Sequence, residues 1–519
     1  MNKLYDVIIV GAGPVGLFLA CELRLARASV LVLDQDLKLE SPFKDAPLGF
    51  RGINTSSVES LYRRGLLGEF VDLEKRVLGL QKTEGFQFGG HFAGIGLNAN
   101  KLELDRWEYR LPGPGLIPHQ TTLQHVETVL SKQAEKLGVT VLRSHGVQHI
   151  AAQNDKSVTV EAGETNQSFT GKWLVGCDGG RSAIRRAAGL GFEGTEAKLT
   201  GYAVHCELDH PEKLKQGFNP TANGMYVSIM KNSMHLFDFD DGAYDRTQKI
   251  TKEHLQEVLN RVTGVTDLKI EKVHSASSYT DRCMQANTYR KGRILLAGDA
   301  AHIHSPLGGQ GLNLGLGDAF NLGWKLAATI RQEANNDKTP VNLDLLDTYE
   351  AERRPIATWA LDWTRAQVSI LQPGPFGRAN RNLVSEFINT TDGTNLFLDR
   401  FWGLTQRYNL DGNDGKKTIH PLVGSSVPDF EFEDGSRLGS KMAAGRGLII
   451  DFQDNAALRE LAEEKYGAKV DYLNVSAKDR RGLGAVIVRP DGFAAWAIED
   501  NEKPDMDAAK AVLEKWFAF

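Results

Sequence analysis

Gly298-Asp299-Ala300-Ala301-His302-Ile303-His304-Ser305-Pro306-Leu307-Gly308-Gly309-Gln310-Gly311-Leu312-Asn313 joins an apolar strand, predicted over 293–297, to a helix. The apolar positions of that helix, Leu312, Leu316, Phe320, Gly323, Ala327 and Ile330, recur at intervals of three and four, which predicts one buried face. An aspartate therefore ends a strand, and a glycine-rich loop delivers the first turn of a helix. Glycines there let the backbone approach a flat ligand, and the helix N-terminus offers unpaired N–H groups to negative charge.

A second strand-end site opens the chain. Asp6-Val7-Ile8-Ile9-Val10 runs into Gly11-Ala12-Gly13-Pro14-Val15-Gly16, and Asp34 closes the next apolar stretch, 30–33. Gly11 makes the tight turn, Gly13 admits a pyrophosphate, Gly16 brings helix and strand together, and Asp34 is placed to hold a ribose hydroxyl pair. A third strand ends in the same way, in Cys177-Asp178-Gly179-Gly180-Arg181-Ser182. Alone, Asp178-Gly179 reads as an ordinary turn. Three such sites in one chain are hard to dismiss as turns, and a reduced flavin is a flat ligand that suits the loop 298–313, because its N1–C2=O edge carries negative charge.

In this order the three motifs resemble those of the class A flavoprotein monooxygenases, the family of p-hydroxybenzoate hydroxylase. The resemblance covers about 1–365 and implies FAD. Carried over by position, it places Gly11, Gly13, Gly16 and Asp34 on the ADP half, with Asp178 near the pyrophosphates. Gly298 and Asp299 fall on the ribityl chain, Pro306 against the isoalloxazine, and Gly309, Gly311, Leu312 and Asn313 at its pyrimidine edge. Arg51 and Gln120 match positions near the pyrophosphate. Gln35 departs from the basic residue that many relatives carry after the acid, which loosens contact with the adenine end.

Composition agrees with a soluble enzyme of several domains. The 519 residues are 41% hydrophobic and 24% charged, within the ordinary globular range. A formal charge of −5 argues against a nucleic-acid surface, and no basic run points to an anionic membrane. The apolar segment 7–20 is broken by the loop glycines and lacks a basic lead, so it is not read as a signal peptide. Cys21, Cys177, Cys206 and Cys283 form no CxxC pair and read as reduced thiols of a cytoplasmic protein. His302 and His304 lack further ligands at metal-binding spacing, so no metal is expected.

The predicted fold class is α/β: a Rossmann-type FAD-binding domain (1–80, 106–196 and 280–365), an inserted β-sheet substrate domain (81–105 and 197–279), a helical connector (366–412) and a thioredoxin-like domain (413–519). Strands are expected over 199–208, 224–230 and 234–239. Alternation puts Met225, Val227 and Ile229 on one face of that sheet and Tyr226, Ser228 and Met230 on the other. Met225, Tyr226, His235 and Phe237 are the candidates for a substrate wall, and Tyr226 and His235 for a catalytic acceptor beside Pro306.

In the tail, strands are expected over 447–452, 470–475, 485–488 and 493–498, with helices over 455–466 and 506–517. A boundary falls near Asp411-Gly412-Asn413-Asp414-Gly415. The tail has no cysteine, which excludes a thiol redox role. With the flanking motifs Trp363-Thr364-Arg365-Ala366-Gln367 and Gly403-Leu404-Thr405-Gln406-Arg407-Tyr408 it resembles the aromatic polyketide hydroxylases and rifampicin monooxygenases.

That resemblance implies an enzyme that spends NADPH or NADH and O2 to hydroxylate a polycyclic phenol through a flavin C4a-hydroperoxide. Baeyer–Villiger oxidation or antibiotic inactivation fits the same sequence, and a flavin reductase without oxygenation is the third class. The protein's part is position, dryness and charge stabilisation. The helix dipole at Gly311 contributes on the order of 1 kcal/mol toward an anionic reduced flavin. No membrane partner is expected, and the assembly is a monomer or homodimer.

Overall fold

The computed structural model describes residues 3–335, 341–410 and 419–518, so the expected boundary at 411–415 lies outside the described residues. Its central element is a parallel sheet. Strand Leu4–Val10 lies between Val30–Leu33 and Gln167–Gly176, and beyond these lie Thr140–Leu142 on one side and Ile294–Leu296 on the other. Val7, Ile8, Ile9, Leu31, Val32, Leu174 and Val175 are fully buried, as expected for strands covered on both faces. The register aligns Val10 with both Leu33 and Gly176, and Gly176 with Leu296. All three strand-end motifs therefore emerge from one carboxyl edge of one sheet, where α/β proteins bind ligands.

Helix Pro14–Leu25 packs on helix Gly311–Asn335, with Phe18 and Phe320 stacked at 5.8 Å. Their approach is close because Gly323 has no side chain: a Cβ there would lie 2.4 Å from Cβ of Glu22. Helix Gly311–Asn335 is more enclosed than its one-faced pattern predicts. Asp318, Asn321 and Lys325 are fully buried along with its apolar stripe. Helix Asp344–Leu371 and the tail cover the polar side: Glu352 and Arg353 of the helix pair with Asn321, Lys325 and Asp318, and Asp491 of the tail accepts from Asn321 at 3.4 Å.

A second, wholly antiparallel sheet has the order Gly217–Pro220, Gly224–Ser228, Ser233–Asp238, Thr200–Leu208, Ile270–Thr280. Helix Lys252–Thr263 covers its back through Leu255, Val258, Leu259 and Val262. The second strand stops at Ser228, two residues short of expectation, and Ile229 is 60% exposed.

The tail sheet has the order Val470–Asn474, Gly447–Asp451, Leu483–Val488, Ala494–Glu499; the first pair is parallel and the others antiparallel. Helix Met506–Phe517 agrees with its expected span, whereas the expected helix over 455–466 is α-helical only over Ala456–Leu461 and finishes in a π turn, Ala462–Tyr466. The strands expected over 485–488 and 493–498 pair as a hairpin through the turn Pro490-Asp491-Gly492, as its composition predicts, but the turn does not face water. Arg489 and Asp491 are buried, because the turn docks at the end of helix Thr55–Arg63, where Arg64 donates to the Pro490 carbonyl at 2.9 Å.

In a free helix Gly323→Ala would gain about 1 kcal/mol. Here the added methyl must push two helices apart, and overpacking of this kind costs about 1–3 kcal/mol. Urea denaturation of Gly323→Ala is expected to show a net loss of stability.

Candidate active site

The groove at the carboxyl edge is built first from backbone. Gly11 adopts φ +106°, and a Cβ on it would lie 2.3 Å from the Cys177 carbonyl, so the turn after the first strand requires glycine. A Cβ on Gly16 would sit 2.0 Å from the Gly11 carbonyl, which fixes the close helix–strand contact expected of it. Gly13, Gly179 and Gly309 are different: a Cβ on any of them would meet no atom within 4 Å. These glycines border open space, which leaves room for a ligand against the backbone.

Asp34 closes one end. Its Oδ2 accepts from the Ala12 N–H at 2.5 Å and its Oδ1 from the Asp36 N–H at 2.8 Å. Arg143 lies 3.7 Å from Oδ1, brought there by the parallel pairing of Leu33 with Leu142. Gln35 packs beside Gly146 instead. The positive charge that the sequence lacks at position 35 is thus supplied from a neighbouring strand. No signal in the sequence marks Arg143, because strand order is not written in it.

In the middle of the groove, Asp178 Oδ2 accepts from the N–H groups of Ala183 (2.7 Å) and Ile184 (3.1 Å), capping the short helix Ala183–Ala187; its buried Oδ1 has no partner. Asp299 opens toward the cleft. The surrounding protein raises its carboxyl above the ordinary range by desolvation, aided by Asp318 and opposed by His302 and Arg51. Arg51 stands in a two-stranded ladder in which Gly52 faces the exposed Gln120. Its Nη1 donates to the carbonyls of Leu48 (3.1 Å) and Phe50 (2.7 Å). Desolvation lowers its pKa, while Tyr279 and Asp299 favour its charge.

At the far end Pro306 and Gly309 are exposed, and Gly308 and Gly309 both have positive φ. Asn313 holds this turn from within. Its Oδ1 accepts from Asn54 N–H at 2.9 Å, and its Nδ2 donates to the carbonyls of Gly52 (3.1 Å) and Gly309 (2.8 Å). The Asn313 side chain is therefore a staple between two loops, and only the backbone of Gly311, Leu312 and Asn313 is free to face a ligand. His302 and His304 part company: His302 Nε2 bonds Asp318 at 2.8 Å, and His304 Nδ1 bonds the Ser305 carbonyl at 2.8 Å. His304 Nε2 is buried without a partner. The open glycines and the unpartnered Asp178 and His304 atoms fit an elongated nucleotide with a flat ring at one end.

The antiparallel sheet divides the substrate candidates. Met225 pairs with Phe237 and Val227 with His235, and Met225, Val227 and Phe237 join an apolar cluster that includes Leu307, the residue after Pro306. Tyr226 does not belong with them. It points to the other face of the sheet, under helix Lys252–Thr263, where its hydroxyl accepts from Lys215 N–H at 3.1 Å. Strand alternation makes this unavoidable once Met225 faces forward, so Tyr226 is withdrawn from both the wall and the catalytic candidates.

His235 stays on the front. Its imidazole is held down to about 4 by desolvation and by Arg51. Tyr279, from the adjoining long strand, was not signalled by the sequence. It lies 6.5 Å from His235 and 6.2 Å from Phe237 between ring centres, and its ring occupies the space left by Gly201, where a Cβ would lie 2.0 Å from it. A cavity of about 280 Å³ opens beside Gln310, Asn313 and Trp359, with no residue of the five-stranded sheet in its wall.

Comparisons with known proteins agree with this geometry. Residues 4–364 match the family model described as FAD binding domain, and residues 420–518 match that of the aromatic-ring hydroxylase C-terminal domain. A monooxygenase of Claviceps purpurea (strain 20.1) is 49% identical, over 98% of this chain and 97% of its own. The 12-dehydrotetracycline 5-monooxygenase/anhydrotetracycline 6-monooxygenase of Streptomyces rimosus is 35% identical over 99% of both chains. The solved structure of OxyS anhydrotetracycline hydroxylase from Streptomyces rimosus aligns with a TM-score of 0.82 at 32% identity, covering all of both chains. The chain belongs to the FAD-dependent aromatic-ring monooxygenases.

Proposed function

We propose that this enzyme uses NADPH or NADH and O2 to hydroxylate a polycyclic phenolic substrate held between the front of the five-stranded sheet and the Pro306–Gly309 turn. The observation that carries this reading is the meeting of an apolar cluster, through Leu307, with the turn that faces the FAD groove. A polycyclic substrate accords with the tetracycline names of relatives aligned along the whole chain. Among the described residues no helix is long and apolar enough to cross a membrane. We read the enzyme as cytoplasmic, monomeric or homodimeric, with the domain divisions given by the sequence and a thioredoxin-like tail.

FAD, when bound, supplies the two-electron reduction and the activation of oxygen. The chain's residues supply the rest. In this reading Asp34 and Arg143 hold the adenosine end, Asp178 and the Gly11–Gly16 loop border the pyrophosphate, and Asp299 accepts a ribityl hydroxyl. Pro306 and the backbone from Gly309 to Asn313 seat the ring. Met225 and Phe237 exclude water from the substrate side. His235 is neutral at ordinary pH and is read as accepting a hydrogen bond from the phenol on that side, while Arg51, whose charge disfavours a protonated imidazole, favours a phenolate instead.

The defining test is NAD(P)H oxidation by the purified enzyme with a panel of polycyclic phenols under 18O2. Faster oxidation with one labelled oxygen entering the aromatic ring is expected. Ring expansion would show Baeyer–Villiger chemistry instead, and ligand-independent oxidation without incorporation would overturn oxygenation. Replacing Asp299 by Ala is expected to weaken FAD binding roughly 10–100-fold, the effect of losing a hydrogen bond to a charged group, read by fluorescence titration.

The histidines give a pH prediction. Burial holds His91, His235 and His304 down to about 4, whereas free histidine titrates near 6.5. Between these values the unfolded chain binds more protons, so their contribution is complete above about pH 6.5 and is lost as pH falls toward 4. Thermal midpoints should drop across that window, and less steeply in His235→Gln.

A further inference from the structure

Consecutive residues of helix Asp344–Leu371 engage two different partners. Glu352 receives both Nη groups of Arg489 at 2.8 Å each, Lys325 at 2.9 Å and Asn321 at 2.7 Å. Arg489 comes from the tail hairpin, is also paired with Asp491, and lies 4.6 Å from the ring centre of Trp516. Arg353 turns the other way. Its Nε donates to Asp318 Oδ1 at 2.8 Å, its Nη2 to the Leu314 carbonyl at 3.0 Å, and its Nη1 to the Tyr408 hydroxyl at 3.1 Å. Tyr408 is seated in the tail, with its N–H on the Gly424 carbonyl and its ring 4.2 Å from Phe493. Asp318 Oδ2 then accepts from the Gly298 N–H at 3.0 Å and from His302.

We infer that the tail is a positioning device for the FAD loop, acting through Tyr408, Arg353 and Asp318, with the Arg489–Glu352 pair holding Arg353 in place. The chain of contacts ends at Gly298, one residue before Asp299, and at Leu314, in the first turn of the helix that follows the loop. Both ends of the loop thus hang on one guanidinium–carboxylate pair. No member of that pair reaches the groove, as Arg353 and Asp318 are at most 1% exposed. The coupling is electrostatic as well as geometric, because the Asp318 charge acts on the Asp299 carboxyl. Gly317 belongs to the device: a Cβ there would lie 2.7 Å from Arg353 Nη2. This role suits a tail that contains no cysteine.

The test uses the full-length holoenzyme with Tyr408→Phe and Arg489→Lys, and Leu513→Ala as a control that lowers tail stability by losing apolar packing while removing none of the network's hydrogen bonds or charges. FAD dissociation constant, midpoint potential, flavin absorption spectrum and Tm are measured for each. Both network variants are expected to weaken FAD at least threefold and to shift potential and spectrum, while Leu513→Ala lowers Tm and leaves potential and spectrum as in wild type. If the network variants lower only Tm, or if Leu513→Ala moves the potential as far as they do, the tail has a merely structural role. Should Arg489→Lys fail to fold, Tyr408→Phe, which loses one hydroxyl, decides the question alone.

Discussion

One carboxylate shut away from water, that of Asp318, governs how this molecule is assembled. An ion pair at such depth loses several kcal/mol of hydration per charge, and it persists only when hydrogen bonds surround it. Asp318 has them from Gly298, His302 and Arg353, and its carboxyl is held below the ordinary range although burial alone would raise it. Each donor belongs to a different piece: the strand end, the loop and the covering helix. Removing Arg353 would leave the Asp318 charge buried without its counter-ion. The loop, the helix after it and the helix above are therefore fixed together, and the groove inherits their geometry.

The groove itself depends on parallel pairing. Gly11 N–H reaches the Leu33 carbonyl at 2.7 Å, Cys177 N–H the Val10 carbonyl at 2.7 Å, and Ala297 N–H the Gly176 carbonyl at 3.0 Å. These bonds continue the sheet ladder one step past each strand and bring three distant turns into one row. The tight glycines, Gly11 and Gly16, exist so that backbone can touch backbone. The open ones, Gly13, Gly179 and Gly309, leave space beside the same row. A single residue type thus serves close packing in one place and ligand access in another.

Across from the groove, the antiparallel sheet separates chemistry from support. Its front presents Met225, Phe237, His235 and Tyr279, and its back, with Tyr202, Tyr226 and Met234, is sealed by helix Lys252–Thr263. A one-residue shift of register would exchange these faces, so the buried helix contacts also decide which side chains face forward. The oxygen chemistry belongs to FAD. In the proposed reading, what the protein contributes is a dry front, a neutral imidazole and a charge, Arg51, near both the groove and the sheet.

Much of this was legible in the residues alone. Strand ends marked by Gly or Asp-Gly, and a glycine-rich loop entering a three/four-spaced helix, obey local rules of backbone freedom and periodicity, so they declare a nucleotide-binding domain and most of the tail strands, while FAD itself was implied by the family resemblance of the three motifs. The face of Tyr226 was legible too, since alternation already set it opposite Met225; only the knowledge of which face was covered was missing. Arg143, Tyr279 and Arg353 could not be found that way. Their roles arise where strand order, helix packing and tail docking bring together residues that are far apart in the chain. The buried turn at Pro490–Gly492 is the same case: its composition announces a turn, but whether a turn meets water or another domain is decided by what packs against it.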